Sequence, residues 1–109
     1  DLRQKKCQAC EGGIPALLPE QIAILHPQLH PRWRVEQQKL IADFSFRNYW
    51  QTSAFVNAVV WIAHQEDHHP DIRFGYQTAQ IQYQTHAVNN LTENDFICAA
   101  KIDGIIDGV

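Results

Sequence analysis

From Asn48 to Gln65 the chain runs without a glycine or proline, and its apolar residues return on a helical period. Thr52, Phe55, Val56, Val59, Val60 and Ala63 follow i, i+3 and i+4 spacings, which gather them into one stripe. Asn48 stands where an N-cap belongs. Pro70 ends the helix, because the residue before a proline is pushed out of the helical region. A helix with such a stripe must lay it on a partner layer. The flanking segments supply one. Leu40, Ala42, Phe44 and Phe46 alternate with their neighbours before it, as do Ile72, Phe74 and Tyr76, then Ala79, Ile81 and Tyr83, after it. Alternation of period two is the pattern of half-buried strands.

Local punctuation turns these strands into two hairpins. Gln37-Gln38 separates Trp33–Val35 from Lys39–Phe46, and Gly75–Gln77 separates the later pair. Pro19-Glu20 opens a short helix, with a proline and a carboxylate in its first turn. Ile22, Leu25 and Leu29 give it a weak stripe, Pro27 limits it and Pro31 ends it. Asn89-Asn90 marks a turn. Thr92-Glu93-Asn94-Asp95 resembles a capping box with Asp in place of Glu, ahead of Phe96, Ile97, Ala100 and Ile105. The order is helix, two strands, helix, two strands, helix. It predicts an α+β fold: a four-stranded antiparallel sheet with three helices packed on one face. With 109 residues there is room for one domain. Residues 1–13 read as a polar N-terminal arm, mobile and closed by Gly12-Gly13, and residues 14–109 as the single domain.

Charge narrows the partners. Nine Lys and Arg against twelve Asp and Glu leave a net charge of -3. No basic excess awaits nucleic acid or an anionic membrane, so neither is an expected partner. No apolar run approaches the ~20 residues of a membrane span, and Asp1–Lys6 lacks a signal-peptide core. The expected location is cytoplasmic. Cys7, Cys10 and Cys98 make an odd count, read as free thiols in a reducing compartment. Cys7-Gln8-Ala9-Cys10 has no second pair and no nearby histidine to complete a zinc site, so these cysteines read as incidental.

The chemistry concentrates in histidine. Of six, His26 and His30 flank prolines and read as structural. His64, His68 and His69 crowd the helix end before Pro70, and His86 closes the last strand in Gln84-Thr85-His86. A single histidine at a helix end is an ordinary cap for its carbonyls. A cluster where rigid elements meet a loop is a candidate site. Pro70 restrains His69, so two adjacent rings can be held in different directions, and His86 reaches them if the second hairpin folds beside the helix end. Two chemistries fit. His64 and His68 share a face if the helix reaches His68, and with His86 they would make a three-histidine metal site. Alternatively, imidazoles that titrate near neutrality serve as general acid and base. Spacing leaves both open.

A longer pattern favours the second. Glu66-Asp67-His68-His69-Pro70-Asp71, Phe74-Gly75-Tyr76, Thr85-His86 and Asn90-Leu91-Thr92-Glu93-Asn94-Asp95 resemble the pterin-4a-carbinolamine dehydratase family. Paired histidines before a proline, with a third a hairpin later, are specific to it. The resemblance runs more weakly through Trp33, Phe44, Phe46 and the long helix, covering residues 14–107. The Cys7–Cys10 arm looks like that of bacterial members. The resemblance implies an α+β fold and a lyase that dehydrates 4a-hydroxytetrahydropterin to quinonoid dihydropterin. That reaction recycles the tetrahydropterin cofactor of aromatic amino-acid hydroxylases. It implies no metal and no cofactor, since the pterin is the substrate, and a homodimer or homotetramer with a hydroxylase as a candidate partner. Carried over, His68 and His86 form the acid–base pair and His69 orients the ring, while Asp67, Pro70 and Thr85 add substrate contacts. His64 departs from the carboxylate that many relatives carry there, and Asn89-Asn90 from their glycines. Two other readings stand beside this one: a non-catalytic interaction module, as in animal members that act as dimerisation cofactors, and a histidine-rich metal-binding domain.

Overall fold

The computed structural model describes residues 1–9 and 13–107. Its elements are α1 (Pro19–Leu25), β1 (Arg34–Glu36), β2 (Lys39–Ser45), α2 (Tyr49–Glu66), β3 (Asp71–Phe74), β4 (Thr78–Tyr83) and α3 (Glu93–Asp107). Short 3-10 turns occupy Leu2–Gln4, His26–Gln28 and His86–Val88. The strands form one antiparallel sheet in the order β1-β2-β4-β3. This is the expected α+β arrangement. Among the described residues no helix is long and apolar enough to cross a membrane.

Local chemistry sets each boundary. Gln37 and Gln38 both take positive φ, 50° and 60°, the two-residue hairpin geometry whose twist suits the strands it joins. In the centre of the sheet Leu40 pairs with Tyr83, Ala42 with Ile81 and Phe44 with Ala79, all facing the core. Asn48 is extended, and its side chain accepts from Gln51 N at 2.9 Å, which caps α2. At the other end Asp67 turns left-handed at φ 50°. Its N–H donates to His64 O at 3.4 Å and the next N–H, of His68, to Ala63 O at 3.2 Å. That bonding pattern closes a helix firmly, here with an aspartate where glycine is usual.

Three features differ from the sequence reading. Val60 is 51% exposed, and Ile62 takes its place in the core. Val60 lies about 100° round the helix from Val59, off the buried face. β3 is an exposed edge rather than a half-buried strand. Only Ile72 is partly covered, and Phe74 and Tyr76 face outward, Tyr76 beside Tyr49. An edge strand has a neighbour on one side alone. Residues 1–9 of the N-terminal arm are docked on the domain, not free of it: Leu2 is buried, Lys101 Nζ donates to Arg3 O at 2.7 Å, and Lys5 pairs with Glu93. Gln8 and Asn94 exchange two hydrogen bonds, of 3.0 and 2.7 Å. Cys10 lies outside the described residues.

The loop ahead of β1 is organised by Asp103 on α3. Its carboxylate accepts from Trp33 Nε1 at 2.9 Å, His30 N at 2.9 Å and Arg32 Nη1 at 3.2 Å. His26 Nε2 bonds Trp33 O, and His30 Nδ1 accepts from Arg32 N. Both histidines therefore serve structure, as expected.

Candidate active site

The end of α2 decides where the paired histidines go. With the helix closed at Glu66, the chain turns at Asp67 and sends His68 inward and His69 outward. The His68 ring is buried and lies parallel to the Tyr83 ring of β4, with centroids 5.4 Å apart and planes 9° apart. Its Nε2 is 2.7 Å from Asp95 Oδ1. Asp95 sits in the first turn of α3. Its second oxygen accepts from Thr85 Oγ1 at 2.8 Å and from Thr92 N at 2.9 Å. Thr85 gives its single hydroxyl proton to Asp95, so the 2.7 Å contact between the two threonine hydroxyls runs from Thr92 to Thr85. Thr85 and the Thr92 N–H donate to one carboxylate oxygen and the His68 ring nitrogen meets the other, so both oxygens of the buried group are partnered.

The expected capping box at Thr92–Asp95 is thus half of one. Asp95 reaches back to the Thr92 N–H, but the Thr92 hydroxyl turns away to Thr85. The carboxylate that caps α3 also holds His68. Thr85 N donates to Asn90 O at 3.0 Å, and Asn89 takes φ 49°, which closes the loop. That closure carries His86 on a one-turn segment beside the end of α2.

Asp67, His68, His69, Pro70 and His86 meet around a cavity of about 260 Å³, with Asp71, Gln84 and Ala87 completing its wall. His69 and His86 are exposed there. Thr85 does not line the cavity: it is 1% exposed, and its hydroxyl is committed to Asp95. His64 lies apart, on exposed α2 surface against Trp61, and borders a separate groove with His69 and Pro70. The helix stops short of His68, so His64 and His68 do not form the shared helical face a metal site would use. Among the described residues no three His, Cys, Asp or Glu side chains converge as metal ligands. A larger cavity, about 600 Å³, opens between Phe44, Phe46, Phe55 and Ile105. It holds no histidine, and Arg32 and Asp43 are the charged residues of its wall.

Sequence reasoning took Asp95 only as a cap and Tyr83 only as core. Tyr83 forms the floor under His68. Its hydroxyl is buried and makes no well-formed hydrogen bond among the described residues. Burial, and then the neighbouring Cys98, push the phenol well above its ordinary value. The available signal for Asp95 was a box with the shorter carboxylate, whose reach suits a second partner.

A family model described as pterin 4 alpha carbinolamine dehydratase matches residues 15–105. A Nitrosomonas eutropha protein provisionally named pterin-4-alpha-carbinolamine dehydratase is 51% identical over 106 residues, covering 97% of this chain and 94% of that one. A Legionella pneumophila protein with the same provisional name is 51% identical over 108 residues, covering 97% and 96%. The crystal structure of a transcriptional coactivator/pterin dehydratase from Brucella melitensis shares the fold, with a TM-score of 0.79 at 22% identity over 84% of this chain and 98% of that one. A pterin dehydratase-like protein identified as a RuBisCO assembly factor in the alpha-carboxysome matches with a TM-score of 0.57 at 27% identity, over 68% and 86%.

Proposed function

Because this chain belongs to the pterin 4 alpha carbinolamine dehydratase family, we propose that it removes water from a 4a-hydroxytetrahydropterin to give a quinonoid dihydropterin. The observation that carries this reading is the Asp95–His68 pair at a cavity shared with His69 and His86. The reaction breaks the C4a–O bond and the N5–H bond and forms the C4a=N5 double bond. The leaving oxygen takes a proton and departs as water, and N5 surrenders one, so nothing is oxidised or reduced. One acid and one base within a single cavity suffice, and the pterin itself carries the reacting atoms.

His68 and His86 are the pair on this reading, with His69 the donor that orients the ring. On this reading Asp95 accepts from His68 Nε2–H, which sets the tautomer and holds the imidazole in one direction. Asp67 and Pro70 border the ring, while Thr85 acts through Asp95. Each proton transfer contributes on the order of 10²–10⁴-fold. His68→Ala and His86→Ala should each leave a folded protein, judged by circular dichroism, with turnover reduced about a hundredfold or more. Undiminished turnover in both would defeat the reading. The product fits the recycling of a pterin cofactor for an aromatic amino-acid hydroxylase.

One observation favours a second role as a binding surface. Trp50, Trp61 and Val60 on α2 are 81%, 59% and 51% exposed. Apolar residues so placed suit a protein partner, including further copies of this chain in a dimer or tetramer. Light scattering that shows a strict monomer, unchanged by Trp50→Lys and Trp61→Lys, would remove the self-association part.

A further inference from the structure

A half-buried thiol on the N-terminal segment meets a fully buried one on α3. Cys7 Sγ and Cys98 Sγ lie 3.6 Å apart, across 91 positions of sequence. Both are free thiols. The segment is held in register at this point. Cys7 N donates to Glu66 Oε1 at 2.8 Å, and the next residue exchanges two hydrogen bonds with Asn94. A disulfide bond is about 2.05 Å long, so the sulfurs must close by roughly 1.5 Å. Bridging requires side-chain rotation to supply that while the backbone bonds persist. We infer that Cys7 and Cys98 are a reversible disulfide site that staples the N-terminal segment to α3, one turn beyond Asp95.

A low-molecular-weight disulfide is the oxidant. The Cys7 thiolate attacks one sulfur of the reagent, forms a mixed disulfide and releases one small thiol. The Cys98 thiolate then attacks Cys7 Sγ and expels the second small thiol. The protein loses two protons and two electrons, two hydrogen atoms in all, and the reagent gains them. Cys7 is the entry point because Cys98 is fully buried. The contact with Cys98, burial and the Glu66 carboxylate all raise the Cys7 pKa. Exchange is therefore slow at pH 7 and quickens as the pH rises, since the thiolate is the nucleophile. The closed loop spans most of the chain, so the oxidised form should resist unfolding.

The test uses the full chain with oxidised glutathione, followed by alkylation of remaining thiols and intact and peptide mass analysis. A Cys10→Ser chain leaves Cys7 and Cys98 as its only thiols. It should lose two hydrogens, yield a peptide linking Cys7 to Cys98, and unfold several degrees higher until a reducing thiol is added. Glu66→Gln keeps an acceptor for the Cys7 N–H but removes the charge, and should speed the reaction severalfold. The proposal is overturned if the Cys10→Ser chain stays reduced or ends with only glutathione adducts. It is overturned equally if the wild type joins Cys7 to Cys10, or if Cys7→Ser cross-links as fast as the wild type.

Discussion

Two buried aspartates on α3 do the same job for different rings. Asp103 accepts from the indole N–H of Trp33, from a backbone N–H and from Arg32. Asp95 accepts from the imidazole of His68, from a backbone N–H and from the Thr85 hydroxyl. Both carboxylates are essentially inaccessible. The difference lies in what each holds. An indole N–H cannot titrate in water, and the Arg32 guanidinium balances the charge beside it, so the Asp103 cluster is scaffold. An imidazole can take up and release a proton, and no arginine or lysine is paired with Asp95 among the described residues. On the proposed function, the same anchoring device becomes chemically useful because the anchored ring can change charge.

The comparison can be broken most forcefully through stability. Asp103→Ala strands the Trp33 N–H and the Arg32 charge, at a cost of roughly 3–5 kcal/mol in urea unfolding. Turnover per folded molecule should stay near the wild-type value. The converse holds at the other cluster: Asp95→Asn keeps the shape and some hydrogen bonds, so about 1–2 kcal/mol is lost. Turnover should fall on the order of a hundredfold, because the His68 tautomer is no longer set. Steady-state kinetics on both variants separates the two roles.

Alkaline pH sharpens the contrast. Burial raises the Tyr83 pKa, and Cys7 is raised by Cys98 and burial. Both groups are neutral when protonated. Their stabilising contribution is complete below the ordinary values of 9.0 and 10.0, and it is lost as pH climbs past them, where the unfolded chain ionises first. Unfolding midpoints should therefore drop above about pH 9, and Tyr83→Phe should flatten part of that slope. Near neutrality the same substitution removes an unsatisfied hydroxyl and should be neutral or slightly stabilising. Asp103→Asn should leave the slope unaltered. The smallest effect belongs to a third aspartate, on the open face of the sheet. Gln80 and Arg34 hold the Asp43 carboxyl below its usual range, yet it is largely in solvent. Asp43→Asn should change thermal stability by less than about 0.5 kcal/mol, with that loss confined to pH above the carboxylate range.

How legible these regions are follows from the range of the interactions. α2 and the hairpins could be read because periodicity and turn residues act within a few positions. The histidine pair and His86 were visible as types, and the later hairpin was enough to bring them together. Asp95 was visible only as a cap, since its bond to Thr92 N is local while its bond to His68 spans 27 positions. Asp103 left no local trace, because its partners are 70 and more positions away. The helix was legible as far as Gln65 and ends at Glu66, but the turn that closes it was hidden: Asp67 adopts the left-handed conformation without a glycine to announce it. The docking of the N-terminal segment was equally silent, since it rests on Leu2 and on side chains contributed by α3.

The most direct measurement is dehydration of freshly generated 4a-hydroxytetrahydropterin, followed by ultraviolet absorbance in weak buffer, with the wild type beside Asp95→Asn and Asp103→Asn. The account predicts clear acceleration by the wild type, near-complete loss in Asp95→Asn and near-wild-type turnover in folded Asp103→Asn. No acceleration by the folded wild type, or equal losses in the two variants, would contradict it.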